Sequence, residues 1–289
     1  MTAALRVTAL FVHPLKSAAG MRVAAATIDA LGFSGDRRWM VVDADGEFLS
    51  QRRIPRMALI RATPLPEGDL YLSSPGVASL HVRSAEIAEH AGREVAPRVT
   101  DAEVVIWSDT VRAVDAGGEA AAWISGVLGC AARLVYCPRS RARTVDRTFA
   151  SGSELVGFAD GFPLLILGES SVHDINTRLG RRGEGEVGPE RFRPNIVIEG
   201  GAPFEEDHWR QIDVGAGAET ITIDIVKPCA RCSIISVNPM TGVQGIEPMR
   251  TLATFRRRGG DVFVGQNALP RAEGQIVTGA PVRVVQRRD

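Results

Sequence analysis

The chain has 289 residues, 45% of them hydrophobic, enough to bury one large core or two moderate ones. Its 34 basic and 34 acidic residues cancel, which excludes the basic footprint of a nucleic-acid binder and leaves any anion site to be local. Four cysteines are too few and too clustered for a disulfide-stapled secreted scaffold, and the N-terminal apolar run breaks at Pro14 and Lys16 before signal or membrane length, so the reading is a reduced, cytoplasmic chain without a membrane partner.

RVTALFV (Arg6–Val12) alternates apolar and polar residues and predicts a strand ending in a turn at His13-Pro14, with Lys16 and Ser17 in the loop. VAAATIDA predicts a second strand, leading through the Gly-rich LGFSGD into RRWMVVD, a hairpin turn at DADG (Asp43–Gly46) and EFLSQRR, which together read as a β-meander. LYLSS, SLHVR and AEVVIWS predict short strands, and AEIAEHAG (Ala85–Gly92) a short helix. EAAAWISGVLG places Ala120, Trp123, Ile124 and Val127 on one helical face with Gly129 as the stop, and the strand ARLVY follows.

The Arg-rich, aperiodic CPRSRARTVDRTFA (Cys137–Ala150) marks a boundary, dividing the chain into domains 1–140 and 141–289, with the N-terminal strand able to cross between them. Beyond it FPLLILG predicts a strand, Ser170 a cap for the helix SVHDINTRLG, RRGEGEVGPERF a loop and RPNIVIEG a strand. TITIDIV, SIISV, QIVTG and VRVV predict further strands, and EPMRTLATFRRR a helix with Pro248 in its first turn. Many short strands with few helices and no alternating βαβ units predict a mainly β fold with peripheral helices, an α+β chain of barrel or sandwich form in both parts.

KPCARCSIISVNPMTG (Lys227–Gly242) carries the most chemistry. A structural zinc site needs a second Cys or His pair, which the chain lacks. A thioredoxin-like pair opens a helix, whereas β-branched SIISV predicts a strand, on which Cys229 and Cys232 face opposite sides and one thiol acts alone. Lys227 and Arg231 would favour a thiolate at either position, and a soft thiolate suits molybdenum, copper or a persulfide. The alternative, that both are small buried hydrophobes, stays open on chemistry alone. Trp39, Trp107, Trp123 and Trp209 read as core or inter-domain packing, and the histidines form no motif.

CARCSIISVNPMTG with EPMRTLATFRR, together with HPLKSAAG, GDRRWMVVD, WISGVLG, DGFPLLILGESSVHDIN, FRPNIVIEG and FEEDHW, resembles the MOSC-domain proteins, in the branch of the mitochondrial amidoxime-reducing component and its bacterial relatives. The resemblance runs in order through nearly the whole chain. It implies a β-rich MOSC N-terminal domain, a MOSC β-barrel domain and a mononuclear molybdenum cofactor between them, with Cys232 as the metal ligand and catalytic residue. By the same carry-over Lys16, Ser17, Arg37, Asp160, Arg193 and Asn195 bind the cofactor, whose phosphate calls for fixed cationic and hydroxyl donors. Arg38 is the neighbouring alternative to Arg37, and Phe162 stands where relatives often carry a small hydroxyl residue.

The implied reaction is two-electron reduction of a small N-hydroxylated substrate, an amidoxime or hydroxylamine, with release of water. With no cysteine after Cys232 the chain is expected to hold no fused iron–sulfur cluster, so electrons come from a separate ferredoxin, flavin reductase or cytochrome b5-like protein. Two alternatives from other classes are a sulfur carrier with a persulfide on Cys232 and a non-catalytic carrier of the cofactor.

Overall fold

A computed structural model describes residues 4–65, 69–83 and 101–288; the helix expected at Ala85–Gly92 lies outside them. The first half contributes β1 (Arg6–Val12), β2 (Met21–Val23), β3 (Ala25–Asp29), β4 (Gly32–Phe33) and β5 (Trp39–Val42), then β6 (Arg61–Pro64), β7 (Leu70–Ser74), β8 (Val77–Val82), β9 (Asp101–Ile106), β10 (Asp109–Asp115), helix α1 (Gly118–Leu128) and β11 (Arg133–Tyr136). The second half contributes β12 (Arg143–Thr144), β13 (Leu155–Val156), β14 (Leu164–Gly168), helix α2 (Glu169–Gly180), β15 (Ile196–Glu199), β16 (Trp209–Val214) and β17 (Ile221–Ala230). A short helix α3 (Met249–Leu252), β18 (Arg257–Arg258), β19 (Asp261–Pro270), β20 (Gly274–Val277) and β21 (Val282–Arg287) complete the chain. The fold is mainly β with peripheral helices, as the strand-rich pattern predicts.

The largest sheet runs β2-β1-β15-β14-β19-β17-β16-β21, with β18 attached to β19. Its ends meet: Val282 N donates to Leu5 O (2.9 Å), Val7 N to Ala280 O (3.0 Å) and Gly279 N to Val7 O (2.7 Å), which joins the β21 end back to β1 and closes the sheet into a barrel. Alternation fills the interior. Ile221, Ile223 and Ile225 of β17, Leu164 and Ile166 of β14, and Ile196 and Ile198 of β15 point into one buried cluster, each contributing about 1.5–3 kcal/mol by leaving water. The N-terminal strand thus belongs to the barrel, pairing with β15, while β3 pairs with β20.

The rest of the first half forms the sheet β5-β11-β10-β9 and the sheet β6-β7-β8. Helix α1 lays Ala120, Ile124, Val127 and Leu128 on this core and stops at Gly129, which takes φ 74°. Trp39 and Trp209 are buried.

Five local expectations are corrected. SIISV is a 3-10 turn over Ser233–Ser236, because burying Ile235 against Leu167, Phe192 and Leu252 requires the chain to double back, and this packing overrides β-branched propensity. The helix expected over EPMRTLATFRRR is confined to α3, since Arg256 is drawn away by Asp207 and the Phe263 carbonyl. Gly168 occupies the cap position of α2, and Ser170 lies inside the helix donating to Gly201 O at 2.6 Å. EFLSQRR forms only isolated bridges, Glu47 with Val105 and Phe48 with Val42, before turning. Trp107 is no core residue: it is 41% exposed at the β9–β10 turn, with Arg52 stacked 4.4 Å from its ring centre.

Candidate active site

The strand that opens the chain ends where the site begins. After β1 the backbone turns, with Ala18 N donating to Leu15 O (3.1 Å), and Ser17 takes φ 62°. The returning segment 36–39 lies against this loop: Arg37 N donates to His13 O (2.8 Å), Lys16 N to Trp39 O (2.8 Å) and Trp39 N to Pro14 O (3.1 Å). Arg37 takes φ 48°, and its carbonyl accepts from Phe158 N (2.9 Å), which anchors the approach to Asp160. In the second half a 3-10 turn over Pro189–Phe192 ends on Arg193 at φ 56°, and Asn195 N then donates to Leu165 O (2.8 Å) at the start of β15.

These segments converge on one cavity. Lys16, Ser17, Arg37, Asp160, Arg193, Asn195 and Cys232 all border it. Residues that sequence reasoning did not assign to the site also border it, among them Cys229, Arg231, Phe192 and Asn267. Arg231 could have been suspected from its place between two cysteines, whereas Asn267 lies on β19, a strand that the sequence reading missed. Arg38 turns away and pairs with Asp29 at 2.8 Å, which leaves Arg37 as the one of the two neighbours that borders the cavity. Phe162 packs edge-on against Phe149, ring centres 5.7 Å apart, on the cavity wall.

The thiols lie closer in function than an extended segment would allow. Cys229 ends β17, the chain turns at Cys232 into the 3-10 element, and both sulfurs belong to residues of the same wall. Arg231 Nη1 donates to Cys229 Sγ at 3.0 Å and its Nη2 to Phe192 O at 2.6 Å. All four cysteines are free thiols.

Charge in the cavity is unbalanced. Lys16, 5% exposed, donates to Phe158 O (2.9 Å) and pairs with Asp160. Burial pulls the Lys16 ammonium below its ordinary value while Asp160 opposes that. Burial by itself would raise the Asp160 carboxyl, but Lys16, with Arg37 and Arg52, holds it well below the usual carboxylate range. Arg193 is lowered to about 9, first by burial and then by Arg37. Its Nη2 and Arg231 Nε are buried without any hydrogen-bond partner.

Asn195 contributes differently. Its Oδ1 accepts from Leu165 N (3.1 Å) and Arg37 Nη1 (3.2 Å), and its Nδ2 donates to Phe11 O (3.2 Å), so the amide is engaged in holding Arg37 and the strands. Asp36 also grips Arg37 and accepts from His13 N at 2.7 Å. The imidazole of His13 is fully buried, and burial, then Arg193 and Arg37, keep it neutral; its Nε2 donates to Pro194 O at 3.0 Å.

This donor set suits a phosphorylated group with a soft metal. Lys16, Arg37, Arg193 and Arg231 around one cavity favour an anion, and a thiol on the same wall is a ligand for a soft metal ion. A ligand that pairs an anionic group with a thiolate-bound metal would meet both demands.

The MOSC N-terminal beta barrel domain model matches residues 4–131, and the MOSC domain model matches residues 153–283. Mitochondrial amidoxime reducing component 2 of Bos taurus is 33% identical over 259 residues, covering 86% of this chain and 72% of the relative. Mitochondrial amidoxime-reducing component 1 of Mus musculus is 31% identical, covering 86% and 71%. Molybdenum cofactor sulfurase of Oryza sativa subsp. japonica is 27% identical over 98% of this chain, which spans only 35% of that relative's length.

Proposed function

The chain belongs to the MOSC family, and from that premise we propose that it is a molybdenum-cofactor-dependent oxidoreductase reducing small N-hydroxylated compounds with electrons from a separate donor protein. The observation that carries this reading is the convergence of the cationic Lys16, Arg37, Arg193 and Arg231 with Cys232 around one cavity. Relatives at about a third identity over most of the chain are amidoxime reducing components.

Lys16, Ser17, Arg37 and Arg193 would hold the cofactor phosphate, with Arg37 aimed by Asp36 and Asn195. Cys232 would ligate the metal, and Arg231 bridges Cys229 and the Phe192 carbonyl, fixing the segment that carries it. When bound, the cofactor supplies two electrons, so that R–NHOH or R–C(NH2)=NOH with two protons gives the reduced nitrogen compound and water. Asp160 stays ionised against Lys16 and serves as a counter-charge, not a proton donor at neutral pH.

Protein made in a cofactor-competent host is expected to carry molybdenum and a fluorescent pterin, and to reduce benzamidoxime with an artificial donor in a Cys232-dependent way. Absence of both metal and pterin would sink the reading. A second reading, persulfide transfer on Cys232, draws on the sulfurase match over 98% of the chain. It predicts instead a labile sulfur atom released by reductant, with no bound metal.

A further inference from the structure

A second cavity of about 190 Å3 lies beside the first, which measures about 100 Å3. The two share Arg193 and Ile234 as common wall, so they adjoin at a residue two positions beyond Cys232 in the chain. None of Lys16, Ser17, Arg37, Asp160 or Cys232 borders the second cavity.

Its walls come from both halves of the chain. On one side is the 3-10 turn Pro55–Leu59 with Ala58 and Leu59; on the other are Val237 and Pro239, and Met240 stands at the rim, 74% exposed. The two sides meet at Gly242: at φ 67° it lies so near that an added Cβ would be 3.2 Å from Arg56 Cα and 3.3 Å from Leu59 Cγ. The turn that carries it is held by its own bonds, Met240 N to Asn238 Oδ1 (2.9 Å) and Gly242 N to Asn238 O (2.8 Å).

Both cavities open to solvent, and the second has nearly twice the volume of the first, room for a ring-sized group. Three arginines, Arg61, Arg191 and Arg193, and one glutamate, Glu190, are among its lining residues. A mostly apolar wall with a net cationic polar set selects for a compact apolar body that carries no positive charge.

We propose that this second cavity seats the organic body of the N-hydroxylated substrate, a ring-sized aromatic or branched aliphatic group that is neutral or bears a carboxylate, and directs its nitrogen end toward Cys232. The assignment rests on the reductase reading of the neighbouring cavity. It identifies Leu59 as a size-setting residue and Arg61 as a charge-selecting one.

The test separates binding from turnover. Three unreactive amides, benzamide, its 4-carboxylate and its 4-trimethylammonium derivative, are titrated calorimetrically into the cofactor-loaded protein. The expected order is carboxylate tightest and ammonium weakest, with at least a fivefold spread. Arg61→Glu reverses the order, and Leu59→Trp weakens all three by tenfold or more while leaving molybdenum content unchanged. The corresponding amidoximes should follow the same order in KM. Equal affinities that neither substitution moves overturn the proposal even if benzamidoxime is reduced, and the reductase reading then stands. The selective binding pattern without any amidoxime reduction overturns the substrate assignment together with the reductase reading, and leaves a binding site for the amide body alone.

Discussion

Arg193→Met tests whether the cavity is built for an anion at the expense of the empty protein. Methionine keeps most of the side-chain volume and meets the same φ of 56°. The substitution removes one hydrogen bond, from Nη1 to Ala18 O, a loss of about 1 kcal/mol. It also removes the unpartnered Nη2, whose burial costs about 1–3 kcal/mol, and the repulsion from Arg37 that helps lower Arg193 to about 9. The net expectation is a ligand-free protein equal to wild type or up to about 2 kcal/mol more stable, a rise in Tm of up to about 5 °C for a chain of this size. Pyrophosphate at a hundred times its Kd should stabilise wild type by about 2.7 kcal/mol and raise Tm by about 5 °C. The variant should lose most of that shift. Thermal melts with and without pyrophosphate give both numbers. A variant destabilised by more than about 2 kcal/mol that still shows the full pyrophosphate shift would refute the reasoning, because Arg193 would then be a scaffold residue and not an anion donor.

Three further outcomes follow from the geometry. Cys232→Ala should lose bound molybdenum while Cys229→Ala keeps most of it, as read by elemental analysis; equal loss from both would make the two sulfurs a joint ligand pair. Gly20→Ala places a Cβ 2.5 Å from His13 Cε1 and Nδ1, so it should destabilise by about 1–3 kcal/mol in urea titration, and an unchanged midpoint would mean that the ring is free to move. Glu154 accepts from Ser151 Oγ (2.7 Å), Gly152 N (3.0 Å) and Arg271 Nη1 (2.8 Å), and although burial alone would raise its carboxyl, the bonds from Ser151 and from the backbone of this turn lower it to about 2. A depressed carboxylate stabilises above its unfolded value and loses that as pH falls through its folded value, so Glu154→Gln should cost about 1–3 kcal/mol at pH 7 and only about 0.4 kcal/mol near pH 2. A constant difference across that range would contradict the assignment.

The barrel strands that alternate cleanly were legible: TITIDIV gives β17 with Ile221, Ile223 and Ile225 inward. β19 was not, although it joins β14 to β17, because Gly265, Asn267 and Pro270 read as strand breakers. In the barrel Gly265 is needed, since a Cβ there would stand 2.9 Å from Ile166 O. The ordered motifs, which no periodicity could supply, singled out residues that border one cavity. What the motifs could not convey is division of labour: Asn195 engaged by three scaffold bonds, Arg38 turned to Asp29, and Arg231 holding the other thiol. Those depend on side-chain direction, which spacing along the chain does not encode.

The backbone at the cavity carries the same bias as its charges. Ser17, Arg37 and Arg193 are all in the left-handed region, at φ 62°, 48° and 56°, where a residue with a Cβ is destabilised by about 1–2 kcal/mol. Glycine would relieve that, yet glycine brings neither hydroxyl nor guanidinium. Backbone bonds on both sides hold each turn: Ala18 N to Leu15 O, Arg37 N to His13 O, Arg193 N to Glu190 O. The first two of these turns lie in the first half and the third in the second, and Phe11 N to Asn195 O (2.9 Å) ties them through the barrel. The strained turns therefore aim cations from separate parts of the chain into one space before any anion arrives. A bound phosphate then need not pay for ordering them, and the conformational cost has been shifted from binding to folding.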